Sequence, residues 1–127
     1  GVKYTRTYDI PTSASRGGKI MVTFDGWNGS LADVRVNGAS AGIIAFPPYE
    51  LDVTGYTRPG VNNIEVTVYG TLKNTLGPHH NNPPLGRAWP GMFQQGAKGG
   101  QPSGTAYSTV GYGLTGDFFV KAIHVTR

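Results

Sequence analysis

The side chains in this sequence most able to do chemistry are aromatic, amide and basic rather than acidic. Trp27 and Asn28 stand in the stretch Asp25-Gly26-Trp27-Asn28-Gly29, Tyr49 follows two prolines, and Trp89 precedes Pro90. Lys73, Asn74, His79, His80 and Arg87 lie between these aromatics. A pyranose ring offers an apolar C–H face and a rim of hydroxyls, and an aromatic platform beside Asn, Lys, His or Arg matches both. Lys73 and Arg87 also suit the carboxylate of an acidic sugar, Arg in a bidentate grip. Each residue has a plainer reading beside this one. Trp27 and Trp89 serve equally to pack or anchor their loops, Asn74 to satisfy loop backbone, and Phe93 to pack. Tyr112 fits either role.

Catalytic chemistry is poorly provided for. The seven acids are Asp9, Asp25, Asp33, Glu50, Asp52, Glu65 and Asp117, and none lies between Glu65 and Asp117. Glycoside hydrolysis asks for two carboxylates flanking one bond, and the region holding most of the candidate residues has none. No Gly-x-Ser-x-Gly elbow is present. His79 and His80 are adjacent, so on an extended chain they point opposite ways and rarely ligate one ion. With no cysteine, disulfides and thiolate metal sites are excluded. The formal charge of +4 is spread along the chain rather than clustered, which is too little for a multi-phosphate footprint. A nucleic-acid partner is therefore not expected. No apolar run approaches the ~18 residues of a membrane span, so no membrane partner is expected either.

The elements that must position these residues are strands. The chain carries 20 glycines and 9 prolines in 127 residues, and each costs a helix interior about 1 or 3 kcal/mol. Their gaps are strand-sized. Val2–Ile10 is rich in Tyr and Thr and stops at Pro11. Apolar residues alternate at Ile20, Val22 and Phe24, at Ala32, Val34 and Val36, and at Ile64, Val66 and Val68, the period of a strand with one buried face. Asp117–Val125 is nearly all apolar and reads as a strand covered on both sides. Tyr107–Leu114 is a further candidate. Asn37-Gly38 and Asp25-Gly26 read as hairpin turns, and Arg58-Pro59-Gly60 as a turn with Gly in the left-handed position. Seven or eight such strands indicate one all-β domain, an antiparallel β-sandwich or jelly roll, over residues 1–127. From Gly77 to Gly104, 12 of 28 residues are Gly or Pro, so one long loop interrupts the rhythm.

Antiparallel strands alternate direction, so successive loops alternate ends. The loops Asp25–Ser30, Phe46–Tyr49 and Lys73–Ala106 then fall at one end, and Asn37-Gly38 and Thr54–Val61 at the other. This topology gathers Trp27, Asn28, Tyr49, Lys73, Asn74, His79, His80, Arg87, Trp89 and Phe93 on one side.

Several spaced elements resemble the sugar-binding domain of family 2 glycoside hydrolases. Tyr4 to Pro11 is similar to its opening strand. Phe24-Asp25-Gly26, Val34-Arg35-Val36-Asn37-Gly38 and Gly42 are similar to its central hairpin. Asp52-Val53-Thr54, Pro59-Gly60 and Ile64-Glu65-Val66 are similar to the strands that follow. The resemblance covers roughly Tyr4 to Asn74, and the long insertion from Thr71 to Gly116 departs from the family pattern. It implies a galactose-binding-domain-like jelly roll without catalytic activity of its own. The segment Thr71 to His80 also resembles accessory domains of bacterial polysaccharide-degrading enzymes. Together these imply a carbohydrate-binding module with a polysaccharide or oligosaccharide ligand, plausibly plant cell-wall material and an acidic one. The module would be covalently linked to a catalytic domain, in a secreted or cell-envelope bacterial enzyme. The alternative is a structural accessory domain that packs on the catalytic domain and binds no sugar. No cofactor is expected. A structural calcium ion is compatible with related jelly rolls, although the scattered acids name no ligands.

Overall fold

A computed structural model describes residues 1–15, 17–72, 74 and 109–124. The chain divides into two units, Gly1–Gly70 with Tyr112–Arg127, and Thr71–Gly111. The first unit is the sandwich. Its strands are β1 (Val2–Ile10), β2 (Gly18–Phe24), β3 (Trp27–Asn28), β4 (Leu31–Val36), β5 (Ala39–Ile44), β6 (Glu50–Asp52), β7 (Gly60–Tyr69), β8 (Gly113–Leu114) and β9 (Phe118–His124), and of these β3 falls within the expected loop Asp25–Ser30. One helical turn, α1 (Thr12–Ser15), follows β1, and a 3-10 turn spans Thr54–Tyr56.

The alternating residues of β4 and β7 fall where period 2 places them. Val34 pairs with Val66 and Ala32 with Val68, and all four are buried. The larger sheet has the order β1-β7-β4-β5 and the smaller β6-β2-β9, all antiparallel. Ile20 and Val22 from β2, and Phe118 from β9, close the core against Val34, Ile64 and Val66 from the larger sheet. β3 and β8 form a separate two-stranded pair. The Asn37-Gly38 turn is a hairpin with both residues at positive φ (51° and 84°), and Gly60 takes φ 89° as the Pro-Gly signal predicts.

Three expectations are corrected. Asp25-Gly26 does not close a hairpin, since β2 pairs with β6 and β9 while β3 pairs with β8. Gly26 is required for space instead. A Cβ there would sit 2.8 Å from Thr115 Oγ1, and the Gly26 carbonyl accepts bonds from the Thr115 and Gly116 amides. β9 is not covered on both faces. It is the outermost strand of its sheet among the described residues, and Phe119 and Ile123 remain 43% and 39% exposed. An apolar run records how often a strand is greasy, not whether something lies on each face. The candidate strand Tyr107–Leu114 is reduced to Gly113–Leu114 among its described residues.

Candidate functional site

The end of the sandwich where β2 runs into β3 carries the aromatic cluster. Three backbone ties set it. The Asp25 amide donates to the Asp117 carbonyl at 3.0 Å, Trp27 pairs with Leu114, and the Leu114 amide donates to the Tyr4 hydroxyl at 3.0 Å. Tyr4 belongs to β1 of the larger sheet, so its hydroxyl ties that sheet to the β3–β8 pair at the base of the site. Gly113 has φ 126°, and a Cβ there would lie 2.4 Å from that hydroxyl. Only glycine lets β8 approach so closely.

On this base the Trp27 ring stands edge-on to two others. Its centroid is 5.7 Å from Phe24 at 62°, and 5.5 Å from Tyr49 at 80°. Such tilted pairs are worth about 0.5–1.5 kcal/mol each beyond the area they bury. Trp27 is half-buried and packs against the core, so it does serve the packing role. Asn28 is exposed, and Tyr49 is 40% exposed. Tyr49 ends the β5–β6 loop, whose Pro47-Pro48 bond is cis.

The loops Asp25–Ser30 and Phe46–Tyr49 thus meet through Trp27 and Tyr49, as the alternation of strand direction predicts. The sandwich also loses and regains the chain at this end. The Ser30 amide donates to the Tyr69 carbonyl at 2.8 Å, the Ser30 hydroxyl to the Gly70 carbonyl at 3.1 Å, and the Tyr112 ring lies against Gly70. In the second unit, Asn74 donates through Nδ2 to the Val110 carbonyl and accepts through Oδ1 from the Val110 amide, both at 2.8 Å. Its amide therefore fastens backbone. Lys73, His79, His80, Arg87 and Trp89 lie outside the described residues, as does Phe93.

Phe46 was absent from the candidate set. It is 81% exposed, the most exposed large apolar residue among those described. The signal was available in Phe46-Pro47-Pro48-Tyr49, where two aromatics flank a stiff pair. Tyr112, weighed only as ambiguous, is 41% exposed.

Four of the seven acids are held in ion pairs, while Asp25 stands exposed in the site's own loop. Glu65 pairs with Lys3 at 3.1 Å, Asp52 with Lys19 at 3.2 Å, Asp117 with Arg6 at 2.6 Å, and Glu50 with Lys121. The Thr54 hydroxyl and amide, with Lys19 behind them, hold the Asp52 carboxyl below the usual range, and Arg6 does the same for Asp117. Asp52 accepts from the Thr54 amide and hydroxyl at the start of the 3-10 turn, and that hydroxyl in turn accepts from the Ile20 amide at 2.9 Å. These are framework roles. Among the described residues no three His, Asp or Glu side chains gather where an ion would sit.

No family model and no curated protein matches the chain. Solved structures do. A rhamnosidase from Novosphingobium sp. PP1Y is 25% identical over 93% of this chain and 10% of its own, with a TM-score of 0.60. The β-glucuronidase of Bifidobacterium dentium, complexed with coumarin-3-O-glucuronide, is 32% identical over 52% of this chain and 11% of its own, at 0.46. A glycosyl hydrolase family 2 member from Bacteroides cellulosilyticus is 33% identical over 54% and 9%, at 0.45. The chain spans about a tenth of the length of each. It is a β-sandwich similar, over nearly all of its own length, to a domain-sized part of a glycoside hydrolase, the class of enzyme whose family 2 sugar-binding domain its strands resemble.

Proposed function

We propose that this chain is a noncatalytic carbohydrate-binding module, which holds a secreted or cell-envelope bacterial enzyme on plant cell-wall glycan. The observation that carries this reading is the aromatic end. Trp27 is braced edge-on by Tyr49 at 5.5 Å, with exposed Asn28 beside it in sequence and Phe46 standing in solvent on the adjoining loop. A ring fixed by neighbours loses little entropy when a sugar stacks on it. Asn28 supplies both donor and acceptor for hydroxyls. The pairing of Glu50, Asp52, Glu65 and Asp117 with cations supports a role without hydrolysis of its own. The reading asks for no cofactor. A structural calcium ion would be an addition to the fold, not part of the recognition. Lys73 and Arg87 favour an acidic glycan by composition.

The test is calorimetric titration with neutral and acidic plant cell-wall polysaccharides at two salt concentrations. Binding to at least one is expected, and affinity for an acidic one falls as salt rises. Failure to bind any of them sinks the proposal and leaves the structural accessory domain.

A further inference from the structure

The side of the sandwich where β1 and β9 run carries a second surface, away from the aromatic end. β9 pairs with β2 along one edge. Along the other no described strand lies. The Phe118 carbonyl there accepts from the Tyr8 hydroxyl at 2.7 Å, and the Phe118 amide donates to the Asp117 carboxylate at 2.8 Å, which leaves Val120 and Ala122 as the open positions. The outward side chains of β9, Phe119 and Ile123, are 43% and 39% exposed. Lys121 stands between them but is drawn across the sheet to Glu50. From the other face of the strand, Val120 and Ala122 line an open hollow of about 100 Å³ with Ile10, Ala14 and Ile20. β1, the outermost strand of the other sheet among the described residues, borders the same hollow through Tyr8, Asp9 and Ile10.

Free strand edges invite pairing, and folded proteins blunt them with free charges, prolines or short length. β9 is seven residues long, Phe118, Phe119, Val120, Ala122 and Ile123 are apolar, and Lys121 is already paired with Glu50. We propose that β9 is a docking edge, along which an extended apolar segment of the neighbouring domain in the parent enzyme adds a strand to the β6-β2-β9 sheet. Alternate side chains of that segment enter the hollow beside Val120 and lie next to Phe119. This rests on the reading that the chain is one part of a larger glycoside hydrolase. The tenth-length match to the rhamnosidase supports a tethered occupant, and a tether supplies effective concentrations in the millimolar range. A second copy of the chain suits the edge less well. Each copy carries a net +4, so self-pairing brings like charges together. The arrangement leaves Trp27 and Phe46 open to glycan.

The test compares amide hydrogen exchange in the isolated 127-residue chain and in the full-length parent protein. The amides of Val120 and Ala122, which point away from β2, are expected to exchange at least tenfold more slowly in the parent. The paired change Phe119→Asp with Ile123→Asp removes that protection while leaving the isolated chain folded and its glycan binding unchanged. Equal exchange in both proteins overturns the proposal. So does protection already present in the isolated chain together with a dimer by light scattering, and so does a natural protein made of these 127 residues alone. Protection without any glycan binding would uphold the docking edge and defeat the carbohydrate reading, so the two failures are distinct.

Discussion

Tyr4 and Gly113 are the contact on which the position of β8, and through it Trp27, depends, and a double-mutant cycle between them gives a sharp expectation. Tyr4→Phe removes the acceptor of the Leu114 amide at a part-buried position, which costs about 1–2 kcal/mol. Gly113→Ala meets two penalties. The φ of 126° is foreign to any L side chain, at about 1–3 kcal/mol. The new Cβ also lies 2.4 Å from the Tyr4 hydroxyl, an overlap worth a further ~1–3 kcal/mol. The next tyrosine atom, Cζ, is 3.6 Å away, so removing the oxygen alone relieves the overlap. The double variant is therefore less destabilised than the sum of the singles by about 1–3 kcal/mol. Urea unfolding followed by circular dichroism measures all four corners of the cycle. Additivity within about 0.5 kcal/mol would mean the two groups do not touch, and would remove the account of how β8 is held.

The remaining expectations are independent. Asn62 is fully buried and makes four hydrogen bonds, to Asn37, to both backbone groups of Arg58 and to the Gly60 carbonyl. Asn62→Leu strands those partners and should cost about 3 kcal/mol, or roughly 12 °C in Tm; a loss under 1 kcal/mol contradicts it. Asp52 and Asp117 titrate below their unfolded value of about 3.9. They therefore add stability above that pH, and it is lost as pH falls through their native values. Between pH 4.5 and 2.5, wild-type Tm should fall further than that of the double Asp52→Asn, Asp117→Asn variant, and parallel curves refute the assignment. Phe46→Ala should leave Tm within about 2 °C, because the ring is solvent-exposed, yet weaken glycan binding several-fold; unchanged affinity takes Phe46 out of the site.

Much of the sandwich is legible in the sequence because its strands bury one face each. Ile64, Val66 and Val68 alternate with Glu65 and Thr67, and every one of the three is buried. Asn37-Gly38 marks its hairpin because both residues accept positive φ. The failures have a common cause, which is that they turn on partners distant in the chain. Asp25-Gly26 has the composition of a hairpin, but Gly26 is shaped by Thr115 and Gly116, some ninety residues on. The run Phe118–Ile123 is apolar enough for a buried strand, yet its place at the rim of a three-stranded sheet is fixed by topology. Tyr4 carries no local sign that its hydroxyl serves Leu114. The meeting of Trp27 with Tyr49 was predictable because strand direction alone decides which loops share an end. Phe46 escaped notice because a Pro-Pro pair reads as a turn before it reads as a mount for side chains.

The central claim is that the Trp27 end of this sandwich binds carbohydrate. Its most direct measurement is the affinity of the tightest polysaccharide for the wild-type chain, for Trp27→Ala and for Tyr49→Ala, each verified as folded by circular dichroism. Loss of the braced aromatic surface should lower affinity at least tenfold in Trp27→Ala, about 1.4 kcal/mol, with a smaller loss in Tyr49→Ala. Wild-type affinity in both folded variants would contradict the claim.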